Sequence, residues 1–190
     1  MSIPVAFFDS EDLAGHVAIV ERQVRRGVED PETAQLARKI TRGLPDGYLD
    51  GIPYVEAWGL TLQLAPEGGG WLAPARNDAD KITQIWNFVV LNVRYKLDPA
   101  AYELVSTLPI MLETGEEDCD GSTVALATLL GALGFRTQAR VVSVGGEAWE
   151  HIYAMVKVGR RWLALDPTIP GAVPGWEFQG STHRRDFALT

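Results

Sequence analysis

Two strand-like runs, 149–158 and 161–166, are separated only by Gly159 and Arg160. A two-residue connection with glycine first is the signature of a tight antiparallel hairpin. It commits this part of the chain to antiparallel sheet and fixes a register. Val158 is expected opposite Arg161, which puts Asp166 opposite Tyr153 and His151 one diagonal step away. Side chains alternate along a strand, so His151, Tyr153 and Met155 share a face with Trp162, Ala164 and Asp166. Diagonal neighbours lie roughly 7–8 Å apart, a range from which a carboxylate reaches an imidazole N–H. A three-residue turn would send Asp166 to the other face. That other face carries Ile152, Ala154, Val156 and Val158, an apolar stripe that another part of the chain must cover.

The face bearing His151 is expected to look toward a helix that opens at Cys119. The run Glu116-Glu117-Asp118-Cys119-Asp120-Gly121-Ser122 leads into Thr123-Val-Ala-Leu-Ala-Thr-Leu-Leu-Gly-Ala-Leu, and Gly134 is a good stop. Cys119 is the single cysteine of the chain, so no internal disulfide forms, which suits a reducing compartment. At a helix N-terminus the unpaired N–H groups and the dipole favour a thiolate and donate to an oxyanion. Glu116, Glu117, Asp118 and Asp120 work against a thiolate unless they point to solvent. A thiol, an imidazole and a carboxylate in this order suit a nucleophile, a base and an orienter.

Duller readings stand beside this one. A lone cysteine is commonly a small buried hydrophobe. A lone histidine is commonly structural, and Asp-Pro after a strand is commonly a turn. Zinc on the same trio lacks the close-spaced ligand pairs of zinc sites. The acidic run 113–120 lacks the alternation and glycine of a calcium loop, so acidic residues at a helix start are the simpler account. The helix-start position, the shared face and the order together favour catalysis by Cys119, His151 and Asp166, with no metal.

Upstream, residues 9–29 read as a helix with Leu13, Val17, Val20, Val24 and Val28 at helical spacing, capped by Asp9 or Ser10. Asp30-Pro31 starts a second helix that Gly43 ends. Leu60-Thr-Leu-Gln-Leu reads as a strand, Gly68-Gly69-Gly70 as a turn, and Trp71-Leu72 as the start of a return strand. The glycine triplet lacks the lysine and context of a phosphate loop. Asn77 or Asp78 caps a helix to about Arg94 with Ile82, Ile85, Trp86, Val89 and Val93 on its apolar face. Tyr95 follows, then a loop with Asp98-Pro99 and Pro109. The tail, 167–190, shows no clear period. The division this suggests is an N-terminal helical appendage over 1–45, a catalytic domain over 46–170 and a C-terminal tail over 171–190.

The net charge of −8 argues against a general nucleic-acid binder, despite Arg22, Arg25, Arg26, Arg184 and Arg185. No apolar run is long enough to span a membrane. The start lacks the basic head and apolar run of a signal peptide, so export by such a signal is not expected.

Asp118-Cys119-Asp120, the small-residue helix ending Leu-Gly-Phe-Arg, and Glu150-His151-Ile-Tyr-Ala-Met-Val-Lys-Val-Gly-Arg-Arg-Trp-Leu-Ala-Leu-Asp166-Pro167-Thr168 together resemble the transglutaminase-like superfamily of papain-like cysteine enzymes. The resemblance covers about residues 78–168, including Ile85-Trp86 through Arg94-Tyr95. It implies an α+β fold with the Cys-bearing helix packed on an antiparallel sheet. It also implies Cys119 as nucleophile, His151 as general base and acid, Asp166 as orienter and Tyr95 as an oxyanion partner beside the Cys119 N–H. The implied reaction is acyl transfer through a thioester on a protein or peptide substrate, most simply hydrolysis, with no cofactor. Many relatives have Gly-Asp-Cys where this chain has Glu117-Asp118-Cys119, which puts access to the thiol in question. A narrower pattern is similar to short transglutaminase-like proteins of tailed phages and prophages: Asn92-Val-Arg-Tyr95-Lys-Leu-Asp-Pro99, a proline before the Cys loop, and Gly175-Trp176. It implies a place in the cytoplasm or a phage virion and other phage structural proteins as partners. Two alternatives share the residues: a non-enzymatic structural or assembly protein that retains the fold, and a peptidase of the cell wall.

Overall fold

The computed structural model describes residues 13–67, 72–97, 105–143, 145, 148–177 and 179–190. The capping residues Asp9 and Ser10, the glycine triplet with Trp71, and the Asp98-Pro99 loop lie outside these. In chain order the elements are α1 (Leu13–Glu29), α2 (Pro31–Arg42), β1 (Gly47–Leu49), β2 (Ile52–Ala57), β3 (Leu60–Gln63) and α3 (Asp78–Asn92). Then come β4 (Arg94–Tyr95), α4 (Leu108–Thr114), β5 (Glu116–Glu117), α5 (Cys119–Ala132), β6 (Thr137–Ser143), β7 (His151–Val158), β8 (Arg161–Leu165) and β9 (His183–Ala188).

Helix α5 is the centre of the molecule. From Cys119 through Leu130 every residue is buried. A helix apolar on all sides has to be surrounded. It contacts α1, α2, α3 and α4, and it packs on β7 and β6 of the sheet β8-β7-β6-β9. This is the expected α+β arrangement of a Cys-bearing helix on an antiparallel sheet. Val20, Val24, Leu36 and Ile40 of the first two helices join Leu126, Leu129 and Leu130 in one apolar core. Burying each large aliphatic side chain favours the folded state by about 1.5–3 kcal/mol, so α1 and α2 are part of the folded body.

Local chemistry explains the boundaries. The Asp30 side chain accepts the Glu32 N–H, Pro31 opens α2, and Gly43 closes it in the left-handed region at φ 60°. Asn77 caps α3 by accepting the Asp80 N–H. The β7–β8 hairpin has the anticipated register, with Val158 opposite Arg161 and Ala154 opposite Leu165. Gly159 turns it at φ 57°.

One expectation is overturned. Helix α5 covers the Ile152, Ala154 and Val156 face of β7, and these residues share its core. The other face holds Tyr153 and Met155 in a small separate cluster with Val142 and Ala164. The apolar stripe was the stronger demand for burial, and the central helix met it. Cys119 therefore meets the His151 end of β7 at the strand's edge.

The tail also differs from its aperiodic reading. Its β9 pairs antiparallel with β6 from Gln138↔Ala188 to Ser143↔His183. Arg140 forks onto Asp186 at 2.6 and 2.7 Å and also holds Glu177.

Candidate active site

The N-terminus of α5 places the thiol. Asp118 is its cap, with Oδ1 accepting the Asp120 N–H at 2.9 Å and the Gly121 N–H at 3.4 Å. Cys119 is therefore the first helical residue. Its carbonyl accepts the Thr123 hydroxyl at 2.8 Å.

The partner strand places the other two residues. Pairing of β8 to β7 ends at Ala154↔Leu165, so Ile152 lies past the paired stretch. There the sulfur of Cys119 accepts the Ile152 backbone N–H. That N–H belongs to the peptide joining His151 to Ile152, so thiol and histidine share one end of β7. His151 Nε2 lies 2.7 Å from Asp166 Oδ2, and both side chains are buried. The other Asp166 oxygen accepts the Thr168 hydroxyl at 2.6 Å and the Thr168 N–H at 3.2 Å. On its other side the His151 ring lies against Tyr153, with centroids 5.8 Å apart.

Tyr95 closes the group from a third direction. Strand β4 runs parallel to β5, with Tyr95 opposite Glu117, and Glu117 is two residues before Cys119. The Tyr95 phenol is raised above its ordinary pKa, first by burial and then by the charges of Cys119, Asp118, Asp166 and Asp120. It therefore remains an O–H donor at neutral pH.

The acidic residues do not turn to solvent as expected. Glu117, Asp118 and Asp120 are all buried. Asp118 is committed to the cap, and Asp120 Oδ2 lies 2.7 Å from His16 Nε2 of α1. The two atoms are close without forming an aligned hydrogen bond. Burial pushes the Cys119 thiol well above its usual pKa, helped by the Asp120 and Asp118 charges and opposed by the Ile152 N–H. Cys119 is only 4 % exposed. Burial and these two charges thus oppose the preference of a helix N-terminus for a thiolate.

Glu117 is accommodated by a glycine in the next turn. A Cβ at Gly121 would lie 1.8 Å from Glu117 Cγ and 2.4 Å from its Cδ. The Glu117 stem thus occupies the space beside the first turn of α5.

Donor atoms of Asp118, Cys119 and Asp120 lie within 4.8 Å of one another. The cap and the His16 contact engage both carboxylates, so this set makes a poor cation site. An open groove of about 410 Å³, lined by Lys81, Phe135, Arg136 and Lys157, lies at the other end of α5 and shares no residue with the Cys119 group.

Two neighbours of the site went unread in the sequence. Thr168 carries no signal beyond its place after Asp-Pro. His16 does carry one: it occupies the apolar stripe of α1 among Leu13, Val17 and Val20, where a polar residue requires a partner.

The profile of the Transglutaminase-like superfamily matches residues 68–167, just over half of the chain. No curated protein matches the sequence. Among solved structures, a proposed protease from Parabacteroides distasonis superposes with a TM-score of 0.51 at 15% identity, over 80% of this chain and 26% of that one. This chain thus spans about a quarter of that protein, and the likeness is one of fold. A proposed cysteine protease from Cytophaga hutchinsonii gives a TM-score of 0.40 at 16% identity, over 60% of this chain and 46% of that one. A structure named as a TGase gives 0.40 at 15%, over 92% and 36%. Among the described residues no helix is long and apolar enough to cross a membrane.

Proposed function

The chain belongs to the transglutaminase-like superfamily, and on that footing we propose that it is a cysteine acyl-transfer enzyme with Cys119, His151 and Asp166 as nucleophile, base and orienter. One observation carries the reading. The peptide N–H that follows His151 reaches the Cys119 sulfur, while Asp166 takes Nε2 of the same imidazole. Nδ1 is left as the nitrogen available to the thiol.

The chemistry follows from that assignment. His151 Nδ1 takes the proton from Cys119 as the sulfur attacks an amide carbonyl carbon. Because burial and the neighbouring carboxylates disfavour a free thiolate, this transfer accompanies attack. The Cys119 backbone N–H and the Tyr95 hydroxyl donate to the developing oxyanion. The imidazolium then gives its proton to the departing amine as the carbon–nitrogen bond breaks, leaving a thioester on Cys119. His151 next deprotonates water, which yields an acid by hydrolysis, or an amine, which yields a new amide. Either step returns the sulfur to a thiol. Asp166 keeps the ring oriented and stabilises its charged form, and Thr168 holds Asp166.

Peptide and protein amides are the substrate class, and hydrolysis is the outcome when water is the acceptor. The resemblance of Asn92 to Pro99 and Gly175-Trp176 to phage-encoded proteins suggests virion proteins and cell-wall peptides as the first substrates to assay.

The reading is tested by intercepting the thioester. Peptide mixtures are incubated with the protein and hydroxylamine, and hydroxamate is measured. Wild type should form hydroxamate, and Cys119→Ala and His151→Gln should not. Equal product from wild type and Cys119→Ala would sink the assignment.

A further inference from the structure

Helix α1 lies outside residues 68–167, the segment that matches the family. It nevertheless brings a buried histidine to the carboxylate beside the candidate nucleophile. His16 Nε2 lies 2.7 Å from Asp120 Oδ2, with side-chain exposures of 7% and 2%. The other oxygen of that carboxylate, Oδ1, lies 3.7 Å from Cys119 Sγ. A single carboxylate thus touches an imidazole on one side and the thiol on the other.

Capping does not explain Asp120, because Asp118 caps α5. Packing does not explain it either, since every other α5 residue from Val124 to Leu130 except Thr128 is apolar at comparable burial. A buried carboxylate is costly unless paired, and an apolar pair of similar size would usually be at least as stable. A buried anion next to a nucleophilic thiol also opposes thiolate formation. The groups crowding this point are the cap residue Asp118, Cys119 of α5, Glu117 of β5, His151 of β7, Asp166 after β8 and Tyr95 of β4. His16 is the basic side chain that α1 contributes among them.

We propose that His16 is a positioning residue for Cys119 that acts through Asp120. When protonated, its imidazole fixes the carboxylate and offsets its charge, so the neighbouring sulfur can give up its proton. The proposal rests on Cys119 being the nucleophile. It makes an N-terminal helix outside the family's matched segment part of the active centre, and it ties thiol reactivity to the docking of α1.

The test uses the full chain and the uncharged reagent iodoacetamide, which here reports one cysteine. Alkylation rates are measured from about pH 6 to about pH 10 for wild type, His16→Gln, Asp120→Asn and the double variant. His16→Gln should move the profile up by about one pH unit, about tenfold slower near neutral pH. Asp120→Asn should move it down. In the Asp120→Asn background His16→Gln should have no further effect, because its route to the thiol is gone. A profile unchanged by His16→Gln, or shifted equally in both backgrounds, overturns the proposal. If His16→Gln does not fold, Asp120→Asn decides alone, and an unmoved profile overturns it. His151→Gln in the same assay reads the nucleophile–base assignment separately: insensitivity there counts against that assignment and leaves the His16 coupling intact.

Discussion

His151 Nε2 and Asp166 Oδ2 stand 2.7 Å apart in a buried setting, and Thr168 occupies the remaining Asp166 oxygen. The carboxylate is therefore held from both sides, which fixes the edge of the imidazole that faces it.

Thr168 should consequently matter to rate more than to binding. Thr168→Val keeps the shape but leaves an Asp166 lone pair unsatisfied, a change that costs about 1–3 kcal/mol in a buried site. Hydroxamate formation should fall about tenfold or more in kcat with KM little changed, and Thr168→Ser should restore most of it. Equal loss in Thr168→Ser and Thr168→Val would show that the hydroxyl is not the operative group.

Asp118 supplies both a cap and a charge, and substitutions separate them. Asn caps a helix about as well as Asp, whereas Ala loses about 0.5–2 kcal/mol. Asp118→Asn should thus leave the unfolding midpoint nearly unchanged while moving the Cys119 alkylation profile to lower pH. Asp118→Ala should lower stability measurably in urea titration. A common stability loss in both variants would contradict the capping assignment.

Gly121 should tolerate a methyl group only when Glu117 is gone. Ala is the better helix former by about 1 kcal/mol, yet at Gly121 its Cβ would overlap the Glu117 stem. Gly121→Ala should therefore destabilise the protein by about 1–3 kcal/mol. In a Glu117→Gly background the same change should be neutral or stabilising. A stabilising Gly121→Ala in the wild-type background would refute the overlap.

The raised thiol pKa also links stability to pH. A thiol unfolds to a group titrating at about 8.5, and burial lifts Cys119 above that. Its contribution is fully present below about pH 8.5 and is lost as pH rises toward the folded value, because the unfolded chain then releases a proton the folded chain keeps. The slope is about 1.4 kcal/mol per pH unit for one proton. Above about pH 8.5 wild type should therefore lose stability faster than Cys119→Ala. Parallel pH curves for the two would show that the thiol is not shifted upward.

Much of the site was readable in the sequence because it depends on short-range geometry. Gly159 fixes the hairpin, and alternation then carries His151 and Asp166 to one face. Asn77, Asp30 and Gly43 announce helix ends by the same local chemistry. What was not readable depends on distant partners. Strands β4 and β5 are two residues each and exist only by pairing with one another. Strand β9 reads His-Arg-Arg-Asp-Phe-Ala, a largely exposed edge with no apolar alternation. Helix α4 lies in a run first read as loop around Pro109, although proline suits a first turn. The acidic residues near Cys119 were expected at the surface because nothing local reveals that His16, far away in the chain, receives one of them.

The most direct measurement is the alkylation rate of Cys119 in wild type and in His151→Gln across neutral pH. If Cys119 and His151 work as nucleophile and base, wild type should react about tenfold faster or more near pH 7. Superimposable profiles would contradict the account.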